Sequence, residues 1–132
     1  MKQGIVKGSH ANVNVTFLLS DNSRIPIEYV VDTGFAGFLT LPLAAAKQMQ
    51  LMSRFDMRAN LADDSDIEIP VYRATIVWNG QLRDVRVLPM GKRPLLGMAL
   101  LEGNEINMKC IEQGAVTITE LPSNTLNNGE RS

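Results

Sequence analysis

The chain has 132 residues, 45% hydrophobic and 20% charged, with 13 basic and 14 acidic side chains for a net charge of −1. That is one domain with enough apolar content to bury a core, and its near-neutral balance without a basic stripe excludes the counterion-releasing surface that nucleic acid binding requires. One cysteine, Cys110, rules out an intrachain disulfide and fits a reducing compartment. One histidine beside it leaves too few ligands for a structural zinc site, so neither metal nor cofactor is expected. No stretch nears the 18 or so apolar residues that span a bilayer, and Met1 to Lys7 lacks the apolar core of a signal peptide. The expectation is a cytoplasmic protein without membrane or nucleic-acid partners.

In chain order, most of the sequence reads as β-structure. Gly8-Ser9-His10 is polar turn material, with His10 expected as a solvated hairpin residue. Asn12 to Phe17 alternates polar and apolar residues, the period of a half-buried strand. After the turn residues Asp21-Asn22-Ser23, Ile25, Ile27, Tyr29 and Val31 line one face of a second strand, and Asp32 falls off that face. Pro42 opens a helix expected to reach Leu51, since proline suits a first turn and Ala44-Ala45-Ala46 favours helix.

Met57 to Pro89 reads as two hairpins. The first, between Met57–Leu61 and Ile67–Val71, turns at Asp63-Asp64-Ser65-Asp66; the second turns at Asn79-Gly80, the strongest short-range signal for a type I′ hairpin. Pro70 cannot donate to a ladder, which places its strand at an edge or in a projecting ribbon. The apolar phase switches from Ile67/Ile69/Val71 to Tyr72/Ala74/Ile76/Trp78, which calls for a bulge or a strand shared between two sheets. Cys110 alternates with Ile106 and Met108 and is expected in the core, with the seven methionines as core filler. Ala115 to Glu120 is a last strand. Residues 1–121 are expected to form the domain, and the polar tail 122–132 to be disordered.

Chemistry concentrates at Asp32-Thr33-Gly34, at the exit of an apolar strand and before the Gly-bracketed segment Phe35-Ala36-Gly37-Phe38-Leu39. Alone the tripeptide is weak, arising by chance in roughly a few per cent of chains this long. A second element, Pro94-Leu95-Leu96-Gly97-Met98, lies far downstream. On these paired motifs, from about residue 3 to 120, the chain resembles the single-domain retropepsin-like aspartic proteases. It is most similar to bacterial and archaeal members whose signature reads Asp-Thr-Gly-Phe-x-Gly.

The resemblance implies an all-β, closed acid-protease-like barrel with one or two short helices and one lobe per chain. It implies that Leu95, Leu96 and Gly97 pass beside the loop carrying Asp32, with a short helix at Met98–Leu101. Asp32 would be catalytic, and a single such residue per chain implies a homodimer that hydrolyses extended peptides. Thr33 would lock the two loops together, while Gly34 would let the backbone turn and leave room for substrate. Asp63, Asp64, Ser65 and Asp66 would form a flap tip, although relatives carry a glycine there. A tip without glycine is expected to be less able to adopt positive φ. Ile5-Val6 and Val116/Ile118 would interleave at the dimer interface or pair within one subunit. Phe38, Leu39, Ile67 and Leu95 would line substrate pockets, or simply be core. Two other readings stay open: a peptide-binding or dimerisation module with little turnover, and an unrelated small β-barrel in which Asp32-Thr33-Gly34 is only a turn.

Overall fold

The strongest turn signals become the tightest hairpins. In the computed structural model, which describes residues 1–60 and 62–123, Asn79 and Gly80 take φ of 53° and 74°. Positive φ at both central residues is the type I′ requirement. Gly8 and Ser9, at 60° and 65°, make a second turn of this kind with His10 exposed just after it. Among the described residues the elements run β1 (Lys2–Lys7), β2 (His10–Leu18), β3 (Arg24–Val31), β4 (Leu39–Leu41), α1 (Leu43–Gln48), β5 (Met52–Asn60) and β6 (Asp66–Trp78). They continue with β7 (Gln81–Pro89), β8 (Leu95–Leu96), α2 (Met98–Leu101), β9 (Asn104–Met108) and β10 (Ala115–Glu120).

The sheet order is β5-β6-β7-β4-β8-β3-β2-β1-β10-β9, and a further pairing of β6 with β2 closes the middle of that order into a ring. Two pairings, β3 with β8 and β4 with β7, are parallel. The closed, mostly β architecture with two short helices is the one the motifs imply. Alternating residues fill its interior: Val13, Val15 and Phe17 from β2, Tyr29 from β3, Ile76 and Trp78 from β6, and Leu96 from β8 are all buried. The phase switch in β6 falls at Val71 and Tyr72, which are buried side by side. Opposite them β5 shifts register between Ser53 and Phe55, so a bulge absorbs the extra residue. β6 is also shared, pairing with β7 over Tyr72–Trp78 and with β2 over Thr75–Val77. Its first part, Asp66 to Val71, pairs with β5. With Pro70 in it, this stretch leaves the barrel as a two-stranded ribbon.

Some expectations need correction. α1 is shorter than the expected 42–51, because Gln50 turns to φ 57° and the Gln50 and Leu51 N–H groups bond to Lys47 and Ala46 carbonyls, ending the helix in a Schellman motif. Pro42 stands just outside it as the N-cap. Cys110 is exposed. β9 stops at Met108, and a turn closed by the Gly114 N–H on the Ile111 carbonyl carries the chain out of the sheet, so alternation no longer applies. Most methionines are not core filler: Met1, Met52, Met90, Met98 and Met108 are exposed, while Met49 packs against the core. Between the two alternatives for the terminal strands, the chain pairs them within itself, Ile5 with Ala115 and Gly4 with Val116. The expected tail, from residue 124, and Leu61 lie outside the described residues.

One core feature is a liability. Tyr29 stacks on Phe17 with ring centroids 6.2 Å apart, yet its hydroxyl is buried without a hydrogen-bond partner among the described residues. Burial also pushes the phenol pKa strongly upward, so it stays neutral. A buried hydroxyl left unpaired costs about 1–3 kcal/mol. Tyr29→Phe keeps the stack and removes the hydroxyl, so thermal unfolding should show unchanged or higher stability. A fall of more than about 1 kcal/mol would reveal a partner for the hydroxyl.

Candidate active site

The site loop begins where β3 meets β8. Val30 and Asp32 donate their N–H groups to the Pro94 and Leu96 carbonyls at 3.0 and 2.8 Å, extending the parallel ladder through the aspartate. Asp32 therefore keeps the strand's alternation: Tyr29 and Val31 face the core, and Val30 and Asp32 face away. The Phe35 N–H bonds to the Asp32 carbonyl at 3.1 Å, closing a turn, and the Gly34 N–H donates to Asp32 Oδ1 at 2.9 Å. The turn thus fixes the carboxylate by one oxygen, with Asp32 half-buried and Thr33 and Gly34 exposed.

Leu95, Leu96 and Gly97 lie beside this loop. The Gly97, Met98 and Ala99 N–H groups bond to the Phe38, Phe35 and Gly37 carbonyls at 2.9, 2.8 and 3.1 Å. A Cβ at Gly97 would sit 2.3 Å from the Gly37 oxygen and 2.5 Å from Phe35 Cδ2, so glycine is compulsory there. One at Gly37 would meet Phe35 Cζ at 2.6 Å, which shows the Phe35 ring packed over both glycines. Gly34 differs. Its φ is not positive, and a methyl there would press on Asp32 Oδ1 at 3.3 Å and on nothing else described. The turn itself does not need a glycine at 34, contrary to part of the expectation.

Sequence reasoning missed Thr40. It is fully buried between two leucines in β4, and its Oγ1 accepts the Leu95 N–H at 2.8 Å. That bond ties the start of β8 to β4, and losing it would orphan a partly buried N–H at about 1–3 kcal/mol. A threonine inside the apolar triplet Leu39-Thr40-Leu41 was the available signal.

Of the apolar pocket candidates, Leu39 is wholly core, Leu95 and Phe38 are half-buried, and Ile67 is exposed on the ribbon. The Arg83 guanidinium covers the Phe38 ring at 5.5 Å. Phe38 shares a concavity of about 370 Å³ with Tyr72 at the ribbon's base, so the ribbon springs from beside the site loop. Its tip carries Asp63, Asp64, Ser65 and Asp66, all exposed. Asp64 takes φ 66° despite the missing glycine, since aspartate tolerates the left-handed region. Asp63 Oδ1 accepts the Ser65 N–H at 3.0 Å and the Ser65 hydroxyl at 2.6 Å. Across the tip Asn60 Nδ2 donates to Asp66 Oδ1 at 3.1 Å. Among the described residues no three His, Cys, Asp or Glu side chains gather into a metal-binding group, and no helix is long and apolar enough to cross a membrane.

No protein-family model matches the chain, and no curated protein matches its sequence significantly. Among solved structures it is similar to a retropepsin-like aspartic protease from Rickettsia conorii, with a TM-score of 0.53 and 16% identity over 92% of this chain and 89% of that one. The EIAV protease in complex with the inhibitor HBY-793 also aligns, with a TM-score of 0.49 and 18% identity over 74% of this chain and 92% of that one. The first likeness establishes the retropepsin fold over most of the chain.

The glycine geometry makes a paired prediction. Gly97→Ala should lower the unfolding midpoint by an amount worth more than about 2 kcal/mol, because backbone must move to admit the methyl. Gly34→Ala should stay within about 1 kcal/mol of wild type. The tip makes another. The Ser65 hydroxyl and N–H hold the Asp63 carboxyl below its usual value of 3.8. A carboxyl with a lowered folded pKa stabilises above its unfolded value and loses that contribution as pH falls through the folded one. Amide exchange at Ser65 should therefore accelerate, beyond the intrinsic trend, only below about pH 3.8. Asp63→Asn should remove that dependence.

Proposed function

We propose that this chain is one half of an aspartic endopeptidase, a homodimer whose two Asp32 side chains meet on a two-fold axis. The observation that carries this reading is the loop itself. Asp32 leaves the barrel on its outward face, held by the Gly34 N–H, while Thr33 and Gly34 beside it are exposed. Residues of that kind are accounted for by a second loop and a substrate.

Two carboxylates within about 3 Å share one proton. The ionised one takes a proton from a water held between them, and the water oxygen bonds to the scissile carbonyl carbon. The protonated one hydrogen-bonds the carbonyl oxygen as charge develops on it. Collapse of the tetrahedral adduct breaks the C–N bond, the nitrogen taking a proton from the dyad. The Thr33 hydroxyl bonds across to the partner's loop. An extended peptide adds to the groove as a strand, covered by the β5–β6 ribbon. Asp64 supplies the positive φ that a tip without glycine was expected to adopt less readily, which supports a tight turn at the ribbon's end. The lone cysteine suits a reducing, cytoplasmic setting.

Asp32→Asn should cut peptide cleavage about 10³-fold or more while leaving the unfolding midpoint near wild type. Sedimentation should show a dimer, and specific activity should fall on dilution below its dissociation constant. Full activity from a monomer, or wild-type turnover in Asp32→Asn, would sink the mechanism.

A further inference from the structure

We infer that the concavity where β1, β2 and β3 meet the approach to β8 receives an acidic substrate side chain, with Arg93 as the residue that selects it. This rests on the peptidase reading above. The concavity has a volume of about 400 Å³ and is lined by Lys7, His10, Glu28, Val30, Arg93 and Pro94. It lies on the face of β3 that carries Asp32, because the lining residues Glu28 and Val30 share the two-residue phase of Asp32 and alternate with core-facing Tyr29 and Val31. Two residues of strand separate Val30 and Asp32, about 7 Å. An extended peptide repeats its side chains on one face at the same spacing. The side chain that reaches the concavity therefore belongs to a residue within about two positions of the scissile bond.

Volume does not discriminate here, since a space of this size accepts any side chain. Charge does. Lys7 and Glu28 are paired at 2.7 Å and cancel. Arg93 is exposed and, among the described residues, forms no ion pair. The Glu112 carboxylate at the rim accepts the Gly8 N–H at 3.2 and 3.3 Å, and among the charged side chains that line the concavity Arg93 alone is left without a salt-bridge partner, with a planar fork that matches a carboxylate. Pro94 restricts the Arg93 backbone to extended conformations, which limits the directions the guanidinium can take. A glutamate or aspartate entering the site completes a pair, a glutamine gains only neutral hydrogen bonds, and a lysine meets like charge. The preference is local, since the ribbon tip carries the opposite sign at Asp63, Asp64 and Asp66.

The test uses dye-labelled peptide pools that are randomised except for Glu, Gln or Lys fixed at each position in turn. Wild-type protein should cut one Glu pool with kcat/KM about tenfold above its Gln counterpart, at a position within two of the cut. Arg93→Gln should erase that ratio, and Arg93→Glu should invert it in favour of Lys. Cleavage with no Glu preference at any position overturns this inference and leaves the peptidase reading standing. Absence of cleavage from every pool overturns the peptidase reading. Fluorescence anisotropy with the same pools and Asp32→Asn then decides the inference separately. Tighter binding of a Glu pool that Arg93→Gln abolishes supports it, and equal binding of the Glu and Gln pools overturns it. Thermal unfolding of both Arg93 variants near the wild-type midpoint excludes a folding defect as the cause.

Discussion

Where Gly97 passes the loop that follows β3, its backbone lies so close to the Phe35 and Gly37 carbonyls that no side chain fits between them. The consequence reaches in three directions. The N–H groups of residues 97 to 99 can bond back to the loop, which starts α2 at Met98. The Phe35 ring can lie across two glycines, which anchors the turn from its far side. β8 can also run parallel to β3, so its Leu96 carbonyl takes the Asp32 N–H and aims the carboxylate away from the core. A side chain at 97 would disturb all three at once, because each depends on the same close contact.

The barrel converts that local contact into a rigid platform. β8 has only two residues, too few to hold a position alone, and it is wedged between β3 on one side and β4 on the other. Thr40 secures the second side from inside the core, where a hydrogen bond is screened from water. The ring closes at the long strand β6, which reaches β7 and β2 with one half and supports the ribbon with the other. A single strand thus links the packed interior to the projecting ribbon. The bulge in β5 lets β6 change phase midway, with Val71 and Tyr72 both buried at the switch.

Charge is distributed along the same surfaces. The ribbon tip is acidic, and one of its carboxylates is committed to shaping the turn. The concavity beside Val30 holds a compensated Lys7–Glu28 pair and one cation left over. Net charge near zero conceals this division, since the two signs cancel over the chain and not at these two places.

The sequence by itself determined the features governed by neighbours in the chain. Strand alternation in β2 and β3, the Asn79-Gly80 hairpin, an edge or projecting ribbon at Pro70 and a bulge or shared strand near Val71 were all legible, because each follows from local sterics or from a period of two, whereas the short helix after Gly97 came only with the resemblance. The pairing of Asp32-Thr33-Gly34 with Leu95-Leu96-Gly97 was legible only through resemblance, since nothing local brings together segments some 60 residues apart. Tertiary structure alone decided the rest. The Schellman end of α1 put Gln50 into positive φ where no glycine marked the stop. The turn after Met108 exposed Cys110 against its alternation. Ring closure buried Thr40, and the meeting of β1, β3 and residue 93 collected charges from three distant stretches into one concavity. Local preferences differ by about 1 kcal/mol, and packing or a hydrogen bond elsewhere outweighs them whenever the chain returns to the same place.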